Sequence, residues 1–325
     1  MNRARIGVIT NPGSQRNKQG LGEMQHLLAG TPDACHAVLD KITDVPEILR
    51  DFARREVDVL AVAGGDGTVQ AVLTEVYGQR PFAAVPRLAV VPRGMTNMIA
   101  ADVGLRRDGL KGLARILQAT PAELAQASLA RRILRVENAL NLPPQYGMFF
   151  GGAGICRAIE ACRTKVHPMK LQADTAAAVT LAGLLGGWLF GRRKEAGESG
   201  RIFYGDRITM TFDDDAEATL DSLLILATTL DKLILGSRSF WGGEQGHLRF
   251  TAIAYPPKRL LRHAWRILYG REPRRLPEDS YLSRTVDRVA LTMDCPFTLD
   301  GEMFDPTPGT PLVLTAADEA RFVRL

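Results

Sequence analysis

Gly64-Gly65-Asp66-Gly67-Thr68 is the string of residues best suited to chemistry in this chain. It follows a continuous apolar run, Val57–Ala63, and precedes a helical stretch with Val69, Val72, Leu73 and Val76 on one face. Glycines at such a strand-to-helix turn let the backbone approach a phosphate, and the helix start adds unpaired N–H groups and a positive dipole end. Asp66 can orient a metal-bound phosphate or a nearby polar group, and Thr68 can donate a hydroxyl hydrogen bond. Without a ligand, the same string is a tight turn with an acid near the helix start. Asn11-Pro12-Gly13-Ser14 and Pro92-Arg93-Gly94-Met95-Thr96-Asn97 also follow short apolar strands, and they end at the same expected sheet edge. Three polar, Gly-bearing loops on one edge point to a nucleotide site. The chain has no G-x-x-x-x-G-K-[ST] and no G-x-G-x-x-G, which removes a Walker-type P-loop and weakens a dinucleotide oxidoreductase reading. It also has no G-x-S-x-G elbow to support a lipid hydrolase.

The elements that must position these loops alternate in the first third. Arg5–Thr10, Ala34–Leu39, Val57–Ala63 and Arg87–Pro92 read as strands. Helices are expected over Leu21–Ala29, from an Asp44 N-cap with Pro46 in the first turn to Arg55, over Thr68–Tyr77, and from Met98. Such a β-α-β-α series makes a parallel sheet that binds ligands at the carboxyl ends of its strands. Beyond about Ala130, short strands are expected at Arg132–Glu137, Tyr146–Phe150, Arg207–Phe212, Leu223–Thr228, Leu248–Ala254, Arg288–Met293, Phe297–Leu299 and Pro311–Thr315. Turn signals between most of them favour an antiparallel unit, interrupted by helices near Ala173–Phe190 and Lys258–Tyr269. The pattern is an α/β domain followed by a β-sandwich.

A chain of 325 residues, 46% hydrophobic and 24% charged, has material for two globular cores, which excludes disorder and a disulfide scaffold. Its four cysteines (Cys35, Cys156, Cys162, Cys295) and five histidines (His26, His36, His167, His247, His263) lack metal-ligand spacing. The N-terminus has too short an apolar run for a signal peptide, so a cytoplasmic location is expected. The net charge of +5 is local. Residues 256–277 hold seven basic side chains and one acid, which leaves the rest of the chain close to neutral. One basic surface, rather than a nucleic-acid coat, is the expectation.

The ordered motifs resemble the diacylglycerol-kinase catalytic family, which includes bacterial lipid kinases, sphingosine kinases and ceramide kinases. Asn11-Pro12-Gly13-Ser14-Gln15 resembles its N-P-x-S-G, Gly64–Thr68 its G-G-D-G-T, Pro92–Met98 its P-x-G-T-x-N-D, and Asp300-Gly301-Glu302 its D-G-E. Gly151–Gly154 is similar to the Gly-rich segment that opens the family's second domain. The resemblance implies an NAD-kinase-like nucleotide domain at residues 1–129, completed by 314–325, and a β-sandwich lipid domain at 130–313. It further implies ATP-dependent phosphorylation of a lipid hydroxyl with Mg2+. Asn11, Pro12, Ser14, Gly64, Gly65, Asp66, Gly67, Thr68, Gly94, Thr96, Asn97 and Glu302 would bind nucleotide. Asp66 and Asp300 would be catalytic, Asp300 accepting the proton of the lipid hydroxyl and Glu302 supporting it. By its own neighbours, Asp300 reads as a turn residue before Gly301. Met95, Met98, Arg132, Gln15 and Gln245-Gly246-His247-Leu248 depart from the family's pattern, and the lost carboxylates weaken hard-cation binding.

Two segments bear on membrane contact. Ala176–Phe190 would make a helix of roughly 22 Å, too short for a hydrocarbon core of about 30 Å. In residues 256–277, Leu260, Leu261, Ala264, Trp265, Leu268 and Tyr269 share a helical face flanked by Arg259, Arg262 and Arg266, a pattern suited to an anionic bilayer or to packing on the sandwich. The combined reading is a cytoplasmic, peripherally membrane-associated lipid kinase acting on a diacylglycerol- or sphingoid-like lipid. Its partners are a lipid substrate and an anionic membrane surface, with no nucleic acid and with a homodimer left open. The alternatives are a weak or inactive lipid- or nucleotide-binding relative and a soluble NAD-kinase-type enzyme.

Overall fold

The computed structural model describes residues 4–14, 17–31, 34–105, 109–161, 204–213, 216–243, 245–270, 274–316 and 318–324. Ala176–Phe190, Cys162, His167 and Gln15 lie outside the described residues. The chain divides into two units, one of Met1–Ile133 with Asp318–Leu325 and one of Leu134–Ala317.

The first unit contains β1 (Ile6–Thr10), α1 (Asn17–Ala29), β2 (Cys35–Val38), α2 (Val45–Arg54), β3 (Val59–Gly64), α3 (Asp66–Thr74), β4 (Arg87–Pro92), α4 (Met98–Val103), α5 (Gly109–Gln118), α6 (Pro121–Gln126), β5 (Ser128–Arg132) and the late strand β17 (Glu319–Val323). They form one sheet in the order β2-β1-β3-β4-β17-β5, parallel except where β17 meets β5. Every residue of β1 and β3 is buried, because helices cover both faces of a parallel sheet. Val8, Ala61 and Ala89 pack with Met24 of α1 and with Leu113 and Ile116 of α5. The winding reverses between β1 and β3, so the crevice outside their carboxyl ends is the topological switch point.

Local differences from the sequence reading have visible causes. Asp44 does not cap α2 with its side chain. It adopts a helical conformation, and its carboxylate accepts the Lys41 N–H at 2.9 Å, closing a 3-10 turn over Ile42–Asp44. Helix α3 starts two residues before Thr68 and passes after Thr74 into a π-turn, Glu75–Gln79, ended by left-handed Arg80. Tyr77 in that turn donates its hydroxyl to the Glu319 carbonyl at 3.1 Å, and Arg80 pairs with Asp318. Helix α4 is tied to β5 by Asp102, which meets Arg131 at 3.3 Å with side chains only 5% and 17% exposed. Asp102→Ala should lower stability by about 3 kcal/mol through loss of one partner of this buried ion pair, read as a lower urea midpoint. An unchanged midpoint would contradict this.

The second unit contains β6 (Leu134–Glu137), β7 (Gln145–Gly147), β8 (Phe149–Ala153), α7 (Gly154–Ala161), β9 (Asp206–Phe212), β10 (Glu217–Thr228), β11 (Leu248–Ala254), α8 (Leu260–Tyr269), β12 (Tyr281–Val286), β13 (Arg288–Thr292), β14 (Phe297–Leu299), β15 (Glu302–Phe304) and β16 (Leu312–Thr315). Its eleven strands form one hydrogen-bonded, antiparallel sheet. The long β10 joins two layers, pairing β9 along its first half and both β8 and β11 along its second, with a register shift between Ser222 and Leu224. Phe212 of β9 meets Phe250 of β11 edge-on at 5.6 Å within the core between the layers.

Two stretches read as single strands are each divided. Arg132–Glu137 splits at Ile133, with Arg132 ending β5 in the first sheet and Leu134 opening β6 in the second; Ile133 donates its N–H to the Asp318 carbonyl. Tyr146–Phe150 breaks at Met148 for a reason given by the site below. Strands β12 and β15 are additions to the sequence reading. Among the described residues, no helix is long and apolar enough to cross a membrane.

Candidate active site

The three polar loops of the first unit follow β1, β3 and β4 at the carboxyl edge of the sheet, two of them flanking the switch point. Side chains lock them together. Asn11 donates its side-chain amide to Thr68 Oγ1 at 2.8 Å, joining the β1 loop to α3, while its own carbonyl oxygen Oδ1 accepts the Gly13 N–H at 2.9 Å. That second bond shapes the turn through Pro12, and Ser14 donates its N–H to the Asn11 carbonyl. Arg93 N–H bonds the Gly64 carbonyl, carrying the β3–β4 ladder into the loops.

Gly65 and Gly94 meet backbone to backbone. A Cβ on Gly65 would stand 3.2 Å from the Gly94 Cα, and one on Gly94 would overlap the Gly65 Cα. Asn97 adopts a left-handed conformation, φ 48°, and clasps the turn. Its Oδ1 accepts the Gly94 N–H at 2.7 Å and its Nδ2 donates to the Gly94 carbonyl at 2.8 Å. The expected nucleotide residues Asn11, Gly64, Gly65, Thr68, Gly94 and Asn97 are thus drawn into one interlocked set, with Gly67 in the first turn of α3, whereas Thr96 is exposed on the loop surface.

Asp66 is the keystone of this set. Its two carboxylate oxygens accept the N–H groups of Met98 and Ile99, each at 3.0 Å, so the acid that opens α3 also caps the start of α4. Burial pushes its carboxyl above the ordinary carboxylate range, and the two N–H bonds pull in the opposite direction. Asp66→Ala removes both acceptors from α4 and should cost roughly 2–3 kcal/mol, because hydrogen bonds to a charged group are the stronger kind. Thermal unfolding checks it, and Asp66→Asn, which keeps one acceptor, should fall between the two. An Asp66→Ala protein as stable as wild type would remove Asp66 from this tying role.

Asp300 and Glu302 belong to the second unit. Asp300 and Gly301 both have positive φ, 51° and 92°, and make the two-residue turn between β14 and β15. Asp300 is also 4% exposed, and its carboxylate accepts the Met148 and Phe149 N–H groups at 2.9 Å each. Those two bonds explain the interruption between β7 and β8. Glu302 is exposed on β15. Periodicity carried no sign of Met148 as a partner; its only trace is the Gly147 beside it, where a Cβ would collide with the Asp300 carboxylate.

The departures from the family pattern fall into different surroundings. Met98 is buried and Met95 half-buried, both apolar. Arg132 ends β5, paired in register with Glu319. Gln245 is exposed before β11, where His247 Nδ1 lies 2.8 Å from Asp287 Oδ1. Among the described residues, no three His, Cys, Asp or Glu side chains stand together as metal ligands. With Asp66 engaged by two backbone N–H groups, these residues do not form a protein-held magnesium cage. In the loop set, Gly65 and Gly94 meet with no side chain between them, beside the first turn of α3.

Comparison with known proteins gives the same direction. The diacylglycerol kinase catalytic domain matches residues 5–128. A diacylglycerol kinase of Bacillus subtilis (strain 168) is 35% identical over 135 residues, which is 39% of this chain and 43% of that protein. The Stenotrophomonas maltophilia (strain K279a) protein named "Probable lipid kinase YegS-like" is 41% identical over 66 residues, 20% of this chain and 21% of its own. The aligned stretches therefore span less than half the length of these relatives. A crystal structure of a diacylglycerol kinase from Bacillus anthracis str. Sterne has a TM-score of 0.61 at 14% identity, covering 99% of this chain and 97% of that one. A second structure from the same organism reaches 0.66 at 16% identity, over 99% and 98% of the two chains. At such identities the structural likeness speaks for the fold alone.

Proposed function

We propose that this chain, whose residues 5–128 match the diacylglycerol kinase catalytic domain, is a lipid kinase that transfers the γ-phosphoryl group of ATP to a hydroxyl of a diacylglycerol- or sphingoid-like lipid. The observation that carries this reading is the interlocked loop set at the switch point, with glycines where phosphate must come close. Magnesium bound with ATP would supply charge neutralisation at the transferred phosphoryl group.

In this reading the chain's own groups divide the work. The start of α3, beside the Gly65–Gly94 contact, would hold the phosphates, while the Gly94 N–H stays with Asn97 Oδ1. Asp66 and Asn97 fix the two loops against each other, which is the positioning that phosphoryl transfer depends on. Asp300 accepts the proton of the attacking hydroxyl, its carboxylate oriented by the Met148 and Phe149 N–H groups. Glu302 supports it.

Transfer of labelled phosphate from ATP to a panel of lipids, with NAD included as an acceptor, tests the proposal. Labelled lipid supports it. Label in NAD alone would favour the soluble-kinase alternative. ATP binding without transfer would favour a relative that binds but does not turn over, the reading that buried, apolar Met98 supports.

A further inference from the structure

Helix α8 does two things at once. Ile267 is buried, and Leu260 packs on a small core with Leu223, Ile253 and Tyr281. On another face, Leu261, Trp265 and Tyr269 are exposed, Trp265 at 74%, with its ring 4.7 Å from that of Tyr269. The apolar face expected from the sequence is therefore divided, half inward and half into solvent. Two adjoining exposed aromatic rings beside a leucine form a small stripe, and amphipathic rings suit the boundary between headgroups and acyl chains.

Beside that stripe lies an open cleft of ≈ 580 Å³, lined by Lys258, Arg259, Arg262, His263, Arg266 and Arg275 over Leu276 and Pro277. Lys258 is paired with Asp279. Among the described residues, none of the ion pairs formed involves Arg259, Arg262, Arg266 or Arg275. Guanidinium groups gathered around a concavity repel one another and focus a positive potential into it. Burial and the neighbouring Arg266, Arg262 and Arg259 hold His263 below its ordinary pKa, a sign of that field. Among the described residues its Nδ1, which is buried, has no hydrogen-bond partner. Arg forks match phosphate oxygens in pairs, so the chemistry this cleft recognises is a phosphate group.

We propose that the Arg259–Arg262–Arg266–Arg275 cleft binds the phosphate of an anionic phospholipid headgroup while Leu261, Trp265 and Tyr269 enter the bilayer interface. The occupant is a membrane lipid and not free phosphate, because the exposed apolar stripe adjoins the cleft and a soluble ion has no use for it. The surface does not depend on the kinase reading, and binding measured without nucleotide separates the two.

Co-sedimentation of the full chain with vesicles tests it, using phosphatidylcholine alone and phosphatidylcholine mixed with phosphatidylglycerol. The wild type should bind the mixed vesicles and largely ignore the neutral ones. R259Q/R262Q/R266Q should weaken that binding roughly 10²-fold, at the attraction typical of a basic residue near an anionic surface. Trp265→Ala, at an exposed site where stability should hold, should weaken binding as well and should abolish the blue shift of tryptophan fluorescence on vesicle addition. Inorganic phosphate at an ionic strength matched with chloride should compete no better than the chloride. Equal binding by the triple variant, equal binding to neutral vesicles, or no binding at all would overturn the proposal. Specific displacement by free phosphate would reassign the cleft to a soluble anion and also overturn it.

Discussion

Asp300→Asn is expected to lower lipid phosphorylation by roughly 10²–10⁴-fold while ATP still binds, the range that loss of a general base produces. The geometry makes this more than a base deletion. One carboxylate oxygen becomes an NH2 group and must face either the Met148 or the Phe149 N–H, donor against donor. A lower melting temperature should therefore accompany the loss of turnover, and the two effects have to be read separately. If Asp300 is the base, phosphoryl transfer falls far more than the folded fraction does at the assay temperature. If it only staples the β14–β15 turn to the strands beneath, turnover falls in step with folded protein and is normal per folded molecule. Glu302→Gln, at an exposed position on β15, should be mild in both respects. Near-normal turnover by folded Asp300→Asn protein would remove the base assignment.

The second large effect is expected at the glycine contact. Gly94→Ala places a methyl group on the Gly65 Cα, and neither backbone can yield without moving β3 or β4. Displacing a phosphate-holding loop by about 1 Å is enough to cost on the order of 10²-fold in rate, so ATP turnover should fall at least that far. Gly65→Ala meets the opposing Cα at a less severe 3.2 Å and should be weaker. The ordering is the informative part: calorimetric ATP affinity should decline from wild type through Gly65→Ala to Gly94→Ala. Equal affinity in all three folded proteins would mean that nucleotide phosphate does not sit where these loops meet.

How much could be read from the sequence differs between the two units. Strands β1, β3 and β4 are buried on both faces, so they appear as unbroken apolar runs, and the glycines that interrupt them mark the loops of the candidate site. What could not be read there was the tying chemistry. Nothing in the spacing says that Asp66 reaches Met98 and Ile99, because that contact depends on two helices starting side by side. In the second unit only Leu223–Thr228 of β10 was visible, since the first half of that strand alternates between half-exposed and exposed residues and carries no apolar run. The polar β12 and the three-residue β15 lacked the same signal. In Arg132–Glu137 the alternation is broken by the adjacent apolar pair Ile133-Leu134, the point where the chain changes sheets, but two apolar neighbours are also common within one buried strand. In α8, periodicity identified an apolar face but could not apportion it between core and solvent.

The place of β17 in the first sheet bears on how the protein is made. β17 lies between β4 and β5, parallel to one and antiparallel to the other. During synthesis, β4 and β5 emerge long before Glu319–Val323, so until then the sheet lacks the strand that joins them, and each has an unpaired edge. Leu88 of β4 and Leu129 of β5, both register partners of Phe322, would meanwhile lack that ring, which is fully buried in the finished fold. Unpaired apolar edges are templates for wrong pairing, and domains otherwise tend to mature in the order in which they leave the ribosome. Here the nucleotide-type fold is the part that closes last, after the intervening β unit has been synthesised, and a fragment cut at the end of β5 would carry every loop motif on an unfinished sheet.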